Sequence, residues 1–286
     1  MDFTKLQGTA NDFVLIEADG MDRDWSRLAI DMCDRHLGVG ADSLLLLLSS
    51  NKADYKMLTF DADGTEAETC GNGLRCLARY VIEKGSISPD VGEITVETAA
   101  GIGWIKPCKE NGVITGFRAN MGKPRFEASE IPVTPDNGAG DIVDIKGLLR
   151  YRENVDGVEL KLYLVSMGNP HAVYFIENPV ADFPLSKLGP LVEHLPVFPR
   201  RTNFEIARIL GNNRLEARVW ERGVGETMAC GSGACAIAVA SNILGYTGRK
   251  IDIRLPGGTL NLEYNEDGEV ILGGPAQMVF EGKWPD

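Results

Sequence analysis

Cys70-Gly71-Asn72-Gly73-Leu74-Arg75-Cys76 and Cys230-Gly231-Ser232-Gly233-Ala234-Cys235 are near-copies of one another. Each places a thiol before Gly-x-Gly and then an apolar stripe: Leu74, Leu77, Ala78 and Val81 in one, Ala234, Ile237, Ala238 and Ser241 in the other. That spacing predicts helices running to about Lys84 and Leu244, each closed by a glycine, Gly85 and Gly245, suited to a left-handed cap. Each cysteine is therefore expected at a helix N-terminus, where unpaired N–H groups and the dipole favour a thiolate. The same amides could hold a substrate carboxylate.

Two such thiols on opposite faces of a carbon bearing hydrogen would make a proton donor and a proton acceptor, as stereochemical inversion requires. One residue alone tends to return the proton to the face it came from. A cysteine titrates near pH ~8.5 and lower at a helix N-terminus, so thiol and thiolate can coexist near neutrality. General acid–base catalysis works best when the catalytic pKa is close to the working pH. The carbanion-like transition state needs stabilisation, and amides from two helix ends around the substrate carboxylate would supply it once closure excludes water.

Plainer readings stand beside this one. Cys33, Cys76, Cys108 and Cys235 read as small buried hydrophobes. Gly71-Asn72-Gly73 could cradle a phosphate, but no Lys-Ser/Thr follows and no dinucleotide fingerprint is present. His171 and Glu221 read equally well as ordinary turn and strand-end residues, and Asn11 and Asn169 as turn formers without a ligand.

The elements that must position the thiols follow from pattern. A glycine turn at Gly8-Thr9-Ala10 opens a β-rich run from Asn11 to Ile16. Trp25, Leu28, Ala29, Met32 and His36 have helical spacing, ended by Gly38. Strands are expected at 43–48 and 55–60, then a polar loop through Asp61 that delivers Cys70, then a hairpin about Ala99-Ala100-Gly101. From Glu127 to about Asp156, Pro132, Pro135, Gly138 and Gly140 suggest a variable loop region. Strand resumes at 160–166 and passes through the turn Gly168-Asn169-Pro170-His171. A helix at 185–195 should be interrupted near Gly189-Pro190. Hairpins are expected about Gly211-Asn212-Asn213 and Pro256-Gly257-Gly258, with Glu221 to Glu226 delivering Cys230 between them.

These landmarks recur at a nearly fixed offset: 230 − 70 = 160, 169 − 11 = 158 and, for Gly258 against Gly101, 157. Matched order at matched spacing points to a duplicated domain, with the two copied sites able to meet. The chain is 286 residues long, enough for two modest domains or one large one, and its 44% apolar and 24% charged content is ordinary for a globular protein. A net charge of −12 argues against nucleic acid or an anionic membrane as partner. Met1-Asp2-Phe3-Thr4-Lys5 lacks the basic flank and apolar run of a signal peptide, and the aliphatic run from Leu44 to Leu48 is too short to span a bilayer. The six cysteines are accordingly expected as thiols in a reducing cytoplasm; with no C-x-x-C pair and 3 histidines, no metal site is expected.

At this point the chain resembles the diaminopimelate epimerases, cofactor-independent amino-acid epimerases of lysine and peptidoglycan synthesis. The resemblance runs nearly end to end. It is carried by the Asn11-Asp12-Phe13-Val14 opening, by Ala62-Asp63-Gly64-Thr65-Glu66-Ala67-Glu68 with the first thiol motif, and by Met167-Gly168-Asn169-Pro170-His171. Arg201-Thr202-Asn203, the run from Trp220 to Thr227 with the second thiol motif, and Gly273-Gly274-Pro275-Ala276 complete it. It implies an α/β fold of two pseudo-symmetric domains, each a mixed barrel-like sheet around a central helix. Residues 1–115, with 275–286 returning to them, would form one half and 116–274 the other, with the active site in the cleft. It implies Cys70 and Cys230 as the acid–base pair, supported by His171 and Glu221. Asn11, Ser43, Asp61, Asn169, Asn203, Glu221 and Arg222 match substrate-binding positions, and Gly71, Asn72, Gly231 and Ser232 the amide nests around the carboxylate. The planar fork of Arg222 suits a distal carboxylate. No cofactor, an amino-acid substrate (diaminopimelate) and a homodimer are implied as well.

Three positions depart from the pattern: Asp61 stands where asparagine is usual, Ser43 where glutamine is common and Ser232 where threonine is usual. Ser232 keeps its hydroxyl. Asp61 could pair with a distal ammonium or repel a distal carboxylate. Epimerisation between LL- and meso-diaminopimelate is thus weighed against a related racemase of another amino acid, against a non-catalytic anion-binding protein, and against an inactivating Cys70–Cys230 disulfide.

Overall fold

The computed structural model describes residues 1–67, 70–134 and 140–285. Glu68 of the acidic motif and Pro135 and Gly138 of the expected loop region lie outside the described residues. The chain forms two compact units, Met1–Asn120 with Gly273–Asp286, and Met121–Leu272. Each is a mixed sheet about a helix, in agreement with the α/β class expected.

In the first unit β1 (Asp2–Gly8) and β2 (Asn11–Glu17) form a hairpin. Its turn residues Thr9 and Ala10 are both left-handed, φ 59° and 60°, where asparagine and glycine are the usual occupants. A β-branched residue there costs roughly 1–3 kcal/mol and needs outside support. The buried Arg75 guanidinium provides it, donating to Thr9 Oγ1 at 3.1 Å. Helix α1 (Trp25–Cys33) stops short of His36. The Asp34 carboxylate accepts the backbone N–H groups of His36 and Leu37, each at 2.7 Å, and turns the chain before Gly38.

Strand β3 (Ser43–Leu48) runs parallel to β2, with Ser43 beside Phe13, and antiparallel to β4 (Tyr55–Asp61), with Ser43 beside Asp61. The short β5 (Glu66–Ala67) precedes α2 (Gly71–Glu83), whose Leu74, Leu77, Ala78 and Val81 are buried as the spacing predicts. Burial of each large aliphatic side chain stabilises the unit by about 1.5–3 kcal/mol. Gly85 closes the helix with φ 74°. Strands β6 (Ile94–Thr98), β7 (Gly101–Glu110) and β8 (Val113–Asn120) follow as a meander. Strand β8 runs on to Asn120, where the first segment of this unit ends.

The second unit opens with β9 (Asp141–Ile145) and β10 (Leu148–Val155), two paired strands inside the stretch expected to be loop. Leu148, Tyr151 and Val155 are buried and anchor them. Strand β11 (Val158–Ser166) pairs with β12 (Pro170–Phe175), so His171 belongs to a strand and not to a turn. Helix α3 (Leu185–Glu193) continues through Pro190 without the expected interruption. Buried Leu185, Leu188 and Val192 fix it on the core, and that packing outweighs the one backbone bond a proline removes.

Strand β13 (Asn203–Gly211) lies parallel to β12 with Asn203 beside His171. It turns through Asn212 and Asn213, both left-handed, into β14 (Arg214–Glu221). After β15 (Gly225–Thr227) comes α4 (Gly231–Ile243), closed by Gly245 at φ 78°. Ala234, Ile237, Ala238 and Ser241 are buried, but so are Ala236, Val239 and Ala240, so α4 is a central helix covered on every side. Strands β16 (Lys250–Leu255), β17 (Gly258–Tyr264) and β18 (Val270–Gly274) complete the run, and β19 (Gln277–Lys283) pairs antiparallel with β1. Among the described residues no helix is long and apolar enough to cross a membrane.

Candidate active site

Both thiol motifs fold alike. Cys70 is the N-cap of α2 and Cys230 the N-cap of α4, each with extended backbone, and each sulfur accepts a backbone N–H, from Gly73 and Gly233 respectively, at 3.4 Å. A sulfur in this position takes the place a serine or aspartate oxygen usually holds at a helix start. The helix dipole there favours the thiolate over the thiol.

Around Cys70, Asn11 Oδ1 lies 3.9 Å from the sulfur and accepts from Asn72 Nδ2 at 2.9 Å. Asn11 Nδ2 donates to Asp42 at 2.7 Å, which fixes the amide's orientation. Asn72 is buried and accepts from Arg75 Nη2 at 2.8 Å; Arg75 also donates to the carbonyl of Gly71 at 3.4 Å. Ser43 donates to Asp61 Oδ1 at 2.9 Å. Burial pushes the Asp61 carboxyl up from its ordinary value against the Ser43 bond, with Asp63 and Asp42 adding like-charge repulsion. Near it, burial would raise Asp12 too, but bonds from Arg35 and Lys5 prevail and hold it at about 2.

Around Cys230, Ser232 Oγ lies 3.5 Å from the sulfur and accepts from Asn169 Nδ2 at 3.4 Å. Asn169 Oδ1 is 2.9 Å from His171 Nε2, and His171 Nδ1 is 2.7 Å from Glu205 Oε1. Asn203 donates to the carbonyl of Pro170 at 2.8 Å and accepts the backbone N–H of Arg222 at 2.9 Å, so two expected binding residues are tied to one another. Glu221 accepts from Thr227 Oγ1 at 2.5 Å. Its carboxyl is pushed up by desolvation, opposed by bonds from Thr227 and Cys230. Burial, with the charges of Glu221 and Glu205, pushes the Cys230 thiol well above its ordinary value, against bonds from Ser232 and the Gly233 N–H. Gly231 is buried in the first turn of α4.

The repeat extends further than the thiols. Asn203 corresponds to Ser43 and Glu221 to Asp61, since 203 − 43 and 221 − 61 both equal 160. Asp61 and Glu221 end equivalent strands, each bonded to a hydroxyl. Arg75, Glu205 and Glu193 are buried polar groups that escaped sequence reading. Glu205 is the middle of Phe204-Glu205-Ile206, where alternation suggests an outward-facing residue, yet all three are buried. Cys33, Cys76 and Cys235 are buried, as expected of small hydrophobes; burial raises Cys33 to about 12 and Cys76 higher. Cys108 is half-buried.

Comparison with known proteins decides the family. The sequence profile of diaminopimelate epimerases matches residues 3–127 and 163–279. The chain belongs to the diaminopimelate epimerase family. Among proteins of that name, the one from Pelotomaculum thermopropionicum is 44% identical over 100% of this chain and 99% of its own length. The one from Moorella thermoacetica is 45% identical over 100% and 99%. The one from Methanococcus maripaludis is 42% identical over 99% of each. Solved structures share the family's fold at low identity. A Bacillus anthracis phenazine biosynthesis protein of the PhzF family superposes with a TM-score of 0.71, 16% identity and coverage of 99% and 98%. A probable proline racemase from Agrobacterium radiobacter K84 gives 0.73, 14%, 99% and 92%.

Proposed function

We propose that the chain is an isomerase that interconverts LL- and meso-diaminopimelate by two-thiol proton transfer at one α-carbon, a step in lysine and peptidoglycan precursor synthesis. One observation carries the reading: each unit presents a cysteine as the N-cap of a buried helix, with the sulfur on the free amides of the first turn. In this reading one of Cys70 and Cys230 removes the α-hydrogen as thiolate, and the other delivers a proton to the opposite face as thiol. Their roles exchange with direction. The first-turn amides, with Asn72 and Ser232, receive the substrate α-carboxylate and stabilise the carbanion-like transition state. Asn11 and Asn169 orient the α-amino group and carboxylate, while His171 and Glu221 support the thiol of the second unit. Asn203, tied to the Arg222 backbone, places that guanidinium on the distal carboxylate. The enzyme would act in the cytoplasm as a homodimer.

The test is proton NMR in deuterium oxide. Deuterium should enter the α-carbon of diaminopimelate as the isomers interconvert. Loss of neither activity in Cys70→Ser nor in Cys230→Ser would end the two-thiol mechanism. The Ser43–Asp61 pair favours a second reading, an epimerase of another amino acid with a different distal group. A monocarboxylic amino acid turned over faster than diaminopimelate would select it.

A further inference from the structure

Glu205 is fully buried on β13, and its Oε2 has no hydrogen-bond partner among the described residues. The repeat makes its presence informative. Its counterpart in the first unit is Leu45, 205 − 160 = 45, and the counterpart of His171 is Phe13, 171 − 158 = 13. The two sites are built alike: a Cβ on Gly73 would come within 3.1 Å of Leu45 Cδ2, and one on Gly233 within 2.7 Å of Glu205 Oε1. The space beneath the first turn of each thiol helix is thus filled by a hydrocarbon pair in one unit and an ionisable pair in the other. Burying a carboxyl and an imidazole costs free energy that Leu and Phe do not incur. Packing alone gives no reason for the exchange.

What the polar pair adds is a continuous connection to the sulfur. It runs from Glu205 Oε1 to His171 Nδ1 (2.7 Å), from His171 Nε2 to Asn169 Oδ1 (2.9 Å), from Asn169 Nδ2 to Ser232 Oγ (3.4 Å), and from Ser232 Oγ to Cys230 Sγ (3.5 Å). The imidazole sits in a buried strand with both ring nitrogens engaged, so the carboxyl at Nδ1 sets the plane of the ring. The plane of the ring then sets where Asn169 and Ser232 stand.

We propose that Glu205 is a positioning residue for Cys230, acting through His171, and that the His171–Glu205 pair makes the two thiols chemically unequal. The groups facing Cys230 are Glu221 from β14, Glu205 from β13, and Ser232 and the Gly233 N–H from α4 itself, while His171 from β12 acts on Glu221 and, through Asn169, on Ser232. The first thiol helix has Leu45 and Phe13 in the corresponding places. Removing the Glu205 charge should ease ionisation of Cys230 and leave Cys70 alone. The proposal deepens the two-thiol reading, but its main test does not depend on the substrate.

The experiment is alkylation by iodoacetamide between pH 6 and pH 10, followed peptide by peptide by mass spectrometry, with Cys70 as reference in the same sample. In Glu205→Gln, which keeps shape and an acceptor for the ring, the Cys230 profile should move down by about one pH unit, roughly tenfold more thiolate at a given pH. The Cys70 profile should stay in place, and kcat for diaminopimelate should fall with KM little changed. The double variant Glu205→Leu with His171→Phe copies the packing of the first unit, so it guards against misfolding. It should show the same downward shift. An unmoved Cys230 profile in the folded variants, or equal shifts at both cysteines, overturns the proposal. If diaminopimelate is the wrong substrate, deuterium exchange is absent from the parent enzyme while the alkylation shift remains.

Discussion

Trp220 donates its indole N–H to Glu193 Oε2 at 2.8 Å, and the other oxygen of that carboxylate accepts the Gly223 backbone N–H at 2.9 Å. Arg201 adds a third bond, to Glu193 Oε1 at 3.1 Å. Through this one buried carboxylate α3 grips both sides of Glu221 and Arg222. Gly189, on the same helix, lies flat against the Trp220 indole, and a Cβ there would enter the ring.

Gly189→Ala is therefore expected to destabilise the protein although alanine is the better helix former. Overpacking of this kind costs about 1–3 kcal/mol, more than the roughly 1 kcal/mol gained in helix propensity. Thermal melts should show a lower Tm, and KM should rise as Arg222 is displaced. An unchanged Tm would mean that the indole moves aside freely.

Cys70→Ser and Cys230→Ser should each keep the fold, since serine is a good N-cap. Each should lower epimerisation by at least ~10²–10⁴-fold, the usual worth of a general acid or base. Circular dichroism separates lost chemistry from lost structure. Wild-type rates in either variant would remove that cysteine from the mechanism.

Asp61 carries a pH signature. Its folded carboxyl titrates above the ordinary value, so the folded state binds that proton more tightly than the unfolded chain. The stability this contributes is present below about pH 4 and is lost as pH rises through the folded pKa. Asp61→Asn, which has no charge to bury, should melt higher than the parent at pH 8, with the advantage vanishing toward pH 4. A difference independent of pH would rule out the buried charge as its cause.

The two helix glycines should respond unequally. Gly73→Ala meets the end of a flexible leucine at 3.1 Å, whereas Gly233→Ala meets the fixed Glu205 carboxylate at 2.7 Å. Gly73→Ala should sit within about 1 kcal/mol of the parent, the scale of helix propensity. Gly233→Ala should be the more destabilised and lose more activity. Equal effects in denaturant titrations would show Glu205 to be less constrained than its bonds suggest.

The thiol helices were legible because their signals are local: Gly-x-Gly at the start, apolar residues three and four apart, a glycine at the stop. The hairpins were legible from their glycine and asparagine turns. Strands β9 and β10 were not, because prolines and glycines nearby masked them and the buried Leu148, Tyr151 and Val155 are spaced by three and four, not by two. Strand β19 shows no alternation either, since most of its residues are exposed. At the site, cysteines and asparagines stood out by motif, while Glu205 and Glu193 look like surface residues until both faces of their elements are seen to be covered.

The pairing of the last strand with the first bears on the order of synthesis. Asp2 lies beside Lys283, and the Met1 ammonium donates to the carbonyl of Trp284 at 2.8 Å. A ribosome releases residues 121–272 whole before it releases β19, the second neighbour of β1. The half translated second can thus close as it emerges, while in the half translated first β1, paired with β2 on one side, keeps its other edge open until β19 follows. Trimming the carboxyl end should accordingly injure the amino-terminal half first.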